Sequence, residues 1–436
     1  MPRYIVPNGQ RRIPLDIPDA VKVTIVKNRP LHVLPDPERA IREAVAHPIA
    51  SLPLSKKVRR GQKVAVIVTD ITRKLPEDLI LPVLLEELQA GGVPSADVTI
   101  VVATGTHRPN TRDELAGKFG ADLVDRLRFV NHSAWDRGGL TDLGKTRNGI
   151  PVVVNREVAE ADVRISTGVI ETHLFAGYSG GVKSVAVGVA GADTIAATHN
   201  YDMMKQTSLG MIEHNPFRDF LTEAAAAVGL DFIVNCVQTG EKGLVKVVAG
   251  DPVLAFQEGV RTARAMYEVE IDGPGAIVIT GVLYPKNRDL YQATRAANTS
   301  LFGPRPVVEK GGVLLMPASC EDGFGHPGYV DWMSRCNSAD EIVRSACEDG
   351  FGPGDQKALI LARILQHARL VVTDCLIPPA ELARVHLESA ATLQGALDDE
   401  LRRRPDAGVI IIPDALLTLP ILGDADALKE GGKDRP

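Results

Sequence analysis

Apolar, β-branched runs that end abruptly in polar or glycine-containing turns are the feature of this 436-residue sequence that most limits its fold. Runs that stay apolar throughout are typical of parallel strands buried on both faces, and amphipathic stretches of helical length lie between them. This alternation predicts an α/β fold with mainly parallel sheets. The strand-like runs are 63–69, 97–103, 162–166, 276–280, 313–316, 370–373 and 409–412, and the helix-like stretches include 77–89, 217–228 and 253–267.

A break in this pattern near residues 270–275 divides the chain into two predicted domains. Glycine and proline interrupt a helical stretch there before a new strand begins. A chain of 436 residues is long enough for two medium-sized cores. We therefore predict one α/β domain over 1–270 and a second over 271–405, with an active-site cleft between them. A return of segment 406–436 to the first domain is an alternative that the sequence leaves open.

The composition of the chain argues against several classes of function. The formal net charge of -6 argues against a nucleic-acid binder, because phosphate neutralisation requires clustered lysine and arginine. The five cysteines form no CxxC pair and no spacing typical of a zinc site or a disulfide framework. The first residues lack the long apolar run that is typical of a signal peptide, and no segment reaches the roughly 18 apolar residues that span a membrane. We expect a cytoplasmic protein with a small-molecule ligand and no nucleic-acid or membrane partner.

Titratable side chains follow three of the predicted strands. Asp70 and Arg73 come after the first, His107 after the second and His173 after the third. Ligands of parallel sheets bind beyond the carboxyl ends of the strands, so these side chains are candidates for one site. Asp70 alone could be a helix cap, and a solitary histidine is more often a surface or packed residue. The convergence of several such groups favours a functional role for both histidines.

A glycine-rich loop over 175–184 follows the third strand and contains Ser179, Gly180, Gly181 and Lys183. Such loops can present backbone N–H groups to a phosphate, although a tight packing turn is the alternative. An ordinary P-loop is disfavoured because Val182 separates the last glycine from the lysine. The next stretch, 193–200, is predicted to be helical and carries His199 toward the loop.

These segments resemble the nickel-pincer-nucleotide-dependent lactate racemase family. The resemblance rests on the pattern HxxAGxSGGxK from His173 to Lys183, together with segments 70–73 and 106–108, and covers nearly the whole chain. It implies a pyridinium mononucleotide whose two sulfur-containing arms and ring carbon hold one Ni(II) ion, with His199 as the ligand from the protein. Cofactor-biosynthesis proteins would then be needed as partners for loading. The implied reaction inverts C2 of a 2-hydroxy acid by reversible hydride transfer to this cofactor.

The same resemblance implies roles for individual residues. Lys183 would lie against a thioacyl arm, and the glycine-rich loop would hold the phosphate. The catalytic acid/base pair is expected to be His107 and His173. The residues expected to contact the cofactor are Asp70, Thr72, Arg73, Ser179, Gly180, Gly181, Lys183 and His199.

A segment of the second predicted domain, 289–295, is similar to the substrate-binding stretch of this family. Tyr291, Gln292 and Arg295 are therefore expected to bind substrate, together with Arg73. The lactate enzymes have lysine where this chain has Arg295, and arginine offers a planar fork for a carboxylate. The difference favours a substrate larger or more polar than lactate, such as a sugar acid or a hydroxy diacid. Segment 321–326 is a weaker candidate for the same site, and the oligomeric state is left open.

Two other functions are compatible with the residues alone. A metal-dependent hydrolase or lyase would use His107, His173 and His199 directly as ligands to zinc. A non-catalytic nucleotide-binding module would use the glycine-rich loop without needing the histidines.

Overall fold

A computed structural model describes residues 3–29, 31–239, 243–348, 350 and 355–423 of the chain. The chain divides into two compact units, one of residues 30–266 and the other of residues 1–29 together with 267–436. Among the described residues, no helix is both long enough and apolar enough to cross a bilayer.

The strands alternate with helices along most of the chain. In chain order the strands are β1 (Arg3–Gly9), β2 (Arg11–Asp16), β3 (Val23–Ile25), β4 (Val64–Thr69), β5 (Val98–Ala103), β6 (Arg128–Asn131), β7 (Leu140–Lys145), β8 (Pro151–Asn155), β9 (Val163–Val169), β10 (Thr172–His173), β11 (Gly177–Tyr178), β12 (Phe232–Gln238), β13 (Leu244–Gly250), β14 (Glu268–Ile271), β15 (Gly275–Thr280), β16 (Val282–Leu283), β17 (Val308–Pro317), β18 (Arg369–Thr373), β19 (Glu388–Ala390), β20 (Val409–Ile412) and β21 (Leu419–Leu422).

The helices include the three stretches predicted from periodicity, with bounds that differ by one residue. In chain order the helices are α1 (Pro37–Ala46), α2 (Leu54–Lys57), α3 (Glu77–Ala90), α4 (Arg112–Phe119), α5 (Ala121–Arg126), α6 (Arg156–Ala159), α7 (Ala192–Thr198), α8 (Tyr201–Lys205), α9 (Pro216–Val228), α10 (Leu254–Tyr267), α11 (Leu290–Ala293), α12 (Arg295–Leu301), α13 (Pro327–Arg335), α14 (Ala339–Glu348), α15 (Gln356–His367), α16 (Pro379–Arg384) and α17 (Leu393–Arg403). A π-helical turn spans Ser184–Gly188.

The unit of residues 30–266 is built on a six-stranded sheet in the order β13-β12-β9-β4-β5-β6. All neighbouring strands are parallel except the hairpin β12–β13. Side chains such as Val66, Ile100 and Ile165 are fully buried in its core. Apolar residues on both faces of β4 explain why this strand lies in the middle of the sheet, because both faces are covered.

The unit that contains residues 267–436 has a second six-stranded sheet, in the order β19-β18-β17-β15-β20-β3. Every neighbouring pair in it is parallel. Its core includes Ile277, Leu315 and Ile411, which come from three different strands. The predicted α/β class with mainly parallel sheets is therefore confirmed.

The division into units differs from the predicted domain boundaries at both ends of the chain. The sheet of the second unit pairs β20 with β3, so residues 1–29 join this unit rather than the first. Strand β20 lies within the same sheet and does not return to the first unit. Residues 424–436 of segment 406–436, for which a return to the first domain was the open alternative, lie outside the described residues. The boundary near residue 270 corresponds to the observed change of unit between Met266 and Tyr267.

Candidate active site

The carboxyl ends of three adjacent strands carry much of the predicted site. Strands β9, β4 and β5 are neighbours in the sheet of residues 30–266 and run parallel. Asp70 directly follows β4, His107 lies in the turn after β5, and His173 lies in β10 shortly after β9. Because parallel strands end at the same edge, the sheet brings these three side chains to one side of the unit.

Asp70 and His107 form a hydrogen-bonded pair at this edge. The carboxylate Oδ2 of Asp70 accepts from Nδ1 of His107 at 2.7 Å, and its Oδ1 accepts from the hydroxyl of Thr72 at 2.6 Å. Asp70 is 4% exposed, whereas the side chain of His107 is largely exposed. Burial alone would raise the pKa of Asp70, but the hydrogen bonds from His107 and Thr72 outweigh burial and lower it. The ionised carboxylate therefore orients His107 with its proton on Nδ1 and its Nε2 lone pair directed away from Asp70.

A buried ion pair lies beneath the turn that carries Asp70. Glu77, the first residue of α3, is fully buried and lies 3.0 Å from the ammonium of Lys118. Its carboxylate also accepts from the backbone N–H and hydroxyl of Thr69 and from the hydroxyl of Thr167. Lys118 donates in turn to the backbone carbonyl of Arg73 at 2.7 Å. This network joins the ends of β4 and β9, and it was not predicted because its members are 41 residues apart in sequence.

His173 is fixed by the hairpin β10–β11. Its Nδ1 accepts from the backbone N–H groups of Phe175 and Ala176 at 3.3 and 3.2 Å. Gly177 closes the hairpin with a φ of 69°, and a Cβ at this position would lie 1.9 Å from the carbonyl oxygen of Met211. Because Nδ1 accepts two hydrogen bonds, the proton of the neutral ring lies on Nε2. The two predicted catalytic histidines thus present opposite groups, an Nε2 lone pair in His107 and an Nε2–H in His173.

The glycine-rich loop is held by contacts within the protein. The hydroxyl of Ser179 donates to the carbonyl of Val169 at 2.7 Å, and the N–H of Gly181 donates to Oδ1 of Asn235 at 2.6 Å. Gly180 and Gly181 adopt φ values of 82° and 58°, which favour glycine. The N–H of Gly181 and the hydroxyl of Ser179 are therefore engaged with protein atoms in this structure. The loop packs tightly, as the alternative interpretation of this segment required.

Lys183 stands directly before the π-helical turn, in a cluster of positive charges. The pKa of Lys183 is lowered to about 7, mainly by desolvation; the charges of Arg73 and Arg218 act in the same direction, and Asp70 opposes them. The guanidinium of Arg73 is 3.9 Å from the carboxylate of Glu171, a residue that the sequence did not single out. Near neutral pH a large fraction of Lys183 therefore carries a free amine.

His199 ends α7 and is packed among aromatic rings. Its Nδ1–H donates to the carbonyl of Ile195 at 3.1 Å. The ring lies 5.0 Å from that of Phe175 and meets the ring of Phe217 edge-on at 5.1 Å. Desolvation, followed by the charge of Lys183, lowers the pKa of His199 to about 4. His199 is therefore neutral at physiological pH with its Nε2 lone pair available to a metal ion.

Arg218 is a buried cation that the sequence analysis did not select. It lies in α9, which begins after the capping residue Asn215, and its guanidinium stacks on Phe256 at 4.4 Å. It donates to the backbone carbonyls of Ala176 and Tyr178, beside the glycine-rich loop. Its Nε and Nη1 atoms are buried with no hydrogen-bond partner among the described residues. The sequence did contain a signal for this residue, because Arg218 lies between apolar residues of the predicted helix 217–228.

The charges of these residues act on one another. Desolvation lowers the pKa of His173 well below its ordinary value, and Lys183, Arg73, His199 and Arg218 contribute in that order. The negative charge of Asp70, which is hydrogen-bonded to His107, raises the pKa of Lys183. The structure therefore gathers His173, Lys183 and His199 near the hydrogen-bonded pair of Asp70 and His107, at one edge of the sheet.

These histidines do not form a metal site by themselves. Within the part of the chain that the structure describes, no group of three or more histidine, cysteine, aspartate or glutamate side chains could hold a metal ion. A hydrolase or lyase that binds zinc through His107, His173 and His199 therefore lacks its ligand set in this structure.

The predicted substrate segment forms α11 and the start of α12 in the second unit. Asp289 caps α11 by accepting from the N–H of Gln292 at 2.8 Å. The side-chain oxygen Oε1 of Gln292 accepts from Lys286 at 3.3 Å and from Arg295 at 3.2 Å. Tyr291 is partly buried, and burial raises the pKa of its hydroxyl. The three predicted residues are thus in a common cluster with an additional lysine.

The weaker candidate segment, 321–326, packs against this cluster. The N–H groups of Leu290 and Tyr291 donate to the carbonyls of Gly323 and Phe324 at 2.9 and 3.1 Å. The ring of His326 lies 5.9 Å from that of Tyr291, while its Nδ1 accepts from the backbone after it. This segment therefore shapes the surroundings of Tyr291 through its backbone.

Comparison with known families assigns most of the chain to two models. Residues 8–211 match the lactate racemase N-terminal domain, and residues 272–419 match the lactate racemase C-terminal domain. A lactate racemase of Lactiplantibacillus plantarum is 31% identical over 385 residues, covering 87% of this chain and 90% of that protein. A lactate racemase of Thermoanaerobacterium thermosaccharolyticum is 29% identical over 377 residues, covering 85% and 87% of the two chains.

Solved structures agree with the sequence matches. The lactate racemase apoprotein from Thermoanaerobacterium thermosaccharolyticum superposes with a TM-score of 0.88 at 28% identity, over 96% of this chain and 100% of that one. A protein from Thermotoga maritima shares the fold with a TM-score of 0.67 at 20% identity, over 91% and 100% of the two chains.

Proposed function

Because the chain belongs to the lactate racemase family, we propose that it is an isomerase that inverts the C2 stereocentre of a 2-hydroxy acid, with a nickel-pincer nucleotide as cofactor. The observation that carries this proposal is the clustering of His107, His173, Lys183 and His199 at one sheet edge. Of these, His199 is a neutral imidazole with a free Nε2 and no companion ligands.

The residues present fit such a cofactor. A nickel ion held by the imidazole of His199 would need further donors, and a pincer ligand would supply them. The chemistry that the bound nucleotide supplies is a ring carbon able to accept and return a hydride. Lys183 would lie against a thioacyl arm of the cofactor, with part of its amine uncharged near neutral pH. The unpartnered Nε and Nη1 of Arg218 add positive potential beside the loop, where an anionic cofactor would be favoured.

Contacts with the phosphate and ribose would come from the turn after β4 and from the glycine-rich loop. Arg73 and Thr72 are the groups of that turn with the most suitable chemistry, a guanidinium and an exposed hydroxyl. Ser179, Gly180 and Gly181 would act mainly by allowing a close approach of the backbone, since two of their polar groups already bind protein atoms. Asp70 would serve His107 rather than the ribose, given their 2.7 Å hydrogen bond.

His107 is the residue best prepared to remove the hydroxyl proton of the substrate. Asp70 holds its Nδ1–H and stabilises the imidazolium that forms when Nε2 accepts a proton. His173 presents an Nε2–H, so it donates a hydrogen bond to the substrate oxygen in this state. His173 can act as the base for the opposite enantiomer only in its other tautomer. Its Nδ1 must then give up the two backbone hydrogen bonds and carry the proton.

We further propose that the substrate is larger or more polar than lactate, such as a sugar acid or a hydroxy diacid. Tyr291, Gln292 and Arg295 would bind it, with Arg73 as a second candidate for the carboxylate. Arg295 has the planar fork that binds a carboxylate through two hydrogen bonds, and its Nη1 already contacts Gln292. Cofactor-biosynthesis proteins would be required as partners that supply the nucleotide.

The test is a racemisation assay of nickel-loaded protein. The chain is produced together with the cofactor-biosynthesis proteins, and its nickel content is measured. Single enantiomers of lactate, malate and gluconate are then incubated with it and analysed by chiral chromatography. We expect inversion at C2 with retention of deuterium placed at C2, and no activity in protein produced without the biosynthesis proteins. Stoichiometric nickel without inversion of any 2-hydroxy acid in a wider panel would contradict the proposal.

A further inference from the structure

We propose that Lys357 is a binding residue for a second anionic group of the substrate, so that the chain acts on 2-hydroxy acids that carry an additional carboxylate or a comparable anion. This inference rests on the proposed function and narrows its substrate class. It distinguishes a dianionic acid from a sugar acid whose chain beyond C2 is polar but uncharged. Lys357 belongs to none of the motifs described above.

Lys357 lies within the cluster formed by the predicted substrate segment. Its ammonium is 4.9 Å from the centroid of the Tyr291 ring, which places it on the face of a residue expected to contact substrate. The charge of Arg295 acts on it and disfavours its protonated form. Lys357 is only 3% exposed. A lysine in a helix is ordinarily exposed, so burial of this one next to Tyr291 requires a reason.

The positive charge of Lys357 has no direct partner among the residues that the structure describes. Its ammonium forms no ion pair and no hydrogen bond with any of them, and it lies over the face of the Tyr291 ring. The carboxylate of Asp289 partly offsets the charge from a distance, but its own hydrogen bond is the one that caps α11. Desolvation, with the help of Arg295, lowers the pKa of Lys357 to about 7. An uncompensated buried cation of this kind destabilises a fold.

The position of Lys357 in its helix adds to this cost. It is the second residue of α15, where the helix dipole presents positive potential and repels a cation. The side chain of Asp355, which precedes the helix, makes no capping hydrogen bond. The first N–H groups of α15 and the ammonium of Lys357 therefore point to the same ligand chemistry, an anion. An anion bound here offsets the desolvation of Lys357 and its repulsion by Arg295.

The two cations have different contacts, which favours a ligand with two anionic groups. Arg295 and Lys286 converge on Oε1 of Gln292, whereas Lys357 lies over the ring of Tyr291. Because the charges of Arg295 and Lys357 act on each other, two anionic groups offset their repulsion more fully than one. A 2-hydroxy acid with a second carboxylate matches both cations, while lactate and gluconate each match one.

The test measures binding to the full chain by calorimetry, with lactate, gluconate and malate as probes. We expect malate to bind at least about tenfold more tightly than the other two, as one additional charged hydrogen bond predicts. Lys357→Met should remove about tenfold of the affinity for malate and leave that for lactate unchanged, whereas Lys357→Arg should retain the preference. Lys310→Met removes an exposed lysine of β17 and serves as the matched control.

Thermal unfolding of the same variants separates binding from a structural role. Because Lys357→Met removes an unpaired buried charge, we expect this variant to unfold at the same or a higher temperature than the parent. An equal loss of affinity for all three probes, a lowered unfolding temperature, or no preference for malate in the parent would overturn the inference. Preferential malate binding that depends on Lys357, in a nickel-loaded chain that racemises nothing, would uphold this site and refute the proposed function.

Discussion

Replacing Lys118 by methionine tests whether the buried ion pair holds the turn that carries Asp70 and Arg73. The ammonium of Lys118 is 10% exposed and lies 3.0 Å from the carboxylate of Glu77, which is 0% exposed. Methionine keeps most of the unbranched side chain and removes its charge. The carboxylate of Glu77 would then remain buried with only N–H and hydroxyl donors.

The expected cost follows from burial. Removing one partner of a buried pair costs about 3–5 kcal/mol, because the other charge stays desolvated. The exposed pair Arg126–Asp122 provides the matched comparison within the same unit, with side chains 65% and 77% exposed. Arg126→Met should cost no more than about 1 kcal/mol. The double variant Glu77→Gln/Lys118→Met should cost less than the sum of its single changes, because the uncompensated carboxylate is gone.

The assay combines urea unfolding with hydrogen exchange. Unfolding of the full chain gives the free-energy differences, and exchange measured by mass spectrometry localises them. We expect peptides that contain β4, β5 and β9 to lose protection in Lys118→Met, while peptides of 275–317 are unchanged. If Lys118→Met and Arg126→Met lower the unfolding free energy by equal amounts, the pair contributes no more than a surface contact and this reasoning is refuted.

Four further outcomes follow from the site and its charges. Asp70→Asn should preserve folding but lower the turnover of the nickel-loaded enzyme by about 10²–10⁴-fold, because His107 loses its orienting carboxylate; unchanged kcat would exclude that role. His199→Ala should abolish nickel retention, measured by metal analysis after dialysis, while His107→Ala retains it. Lys183 should react with limiting acetic anhydride with a midpoint near pH 7, followed by peptide mass spectrometry, because its pKa is lowered to about 7. Burial raises the pKa of Asp414 from 3.8 to about 6, so its contribution to stability is present below pH 4 and lost as pH rises through 6. In Asp414→Asn the unfolding free energy should therefore depend less on pH over that range. An unaltered slope would contradict the assignment.

Features that depend on neighbouring residues were readable from the sequence. Strands β4, β5 and β20 coincide with the apolar runs, because burial on both faces demands an uninterrupted set of apolar side chains. Helix α9 has its start and end encoded by Asn215 and Gly229, whose local hydrogen bond and left-handed φ act on the adjacent turn alone. The candidate site was predictable to the same extent, since a side chain placed after a parallel strand must lie at the carboxyl edge of the sheet.

Pairings between distant segments were decided only by the tertiary structure. The hydrogen bond of His107 to Asp70 and the ion pair of Glu77 with Lys118 depend on β4 and β5 being neighbours, which no local pattern specifies. The addition of β3 beside β20 likewise transfers the start of the chain to the second unit. Sequence patterns report which surfaces must be buried, and so they determine the elements and their edges. The partner that covers each surface is chosen by packing across the whole chain, which is why the states of the histidines and the buried charge of Lys357 became visible only in three dimensions.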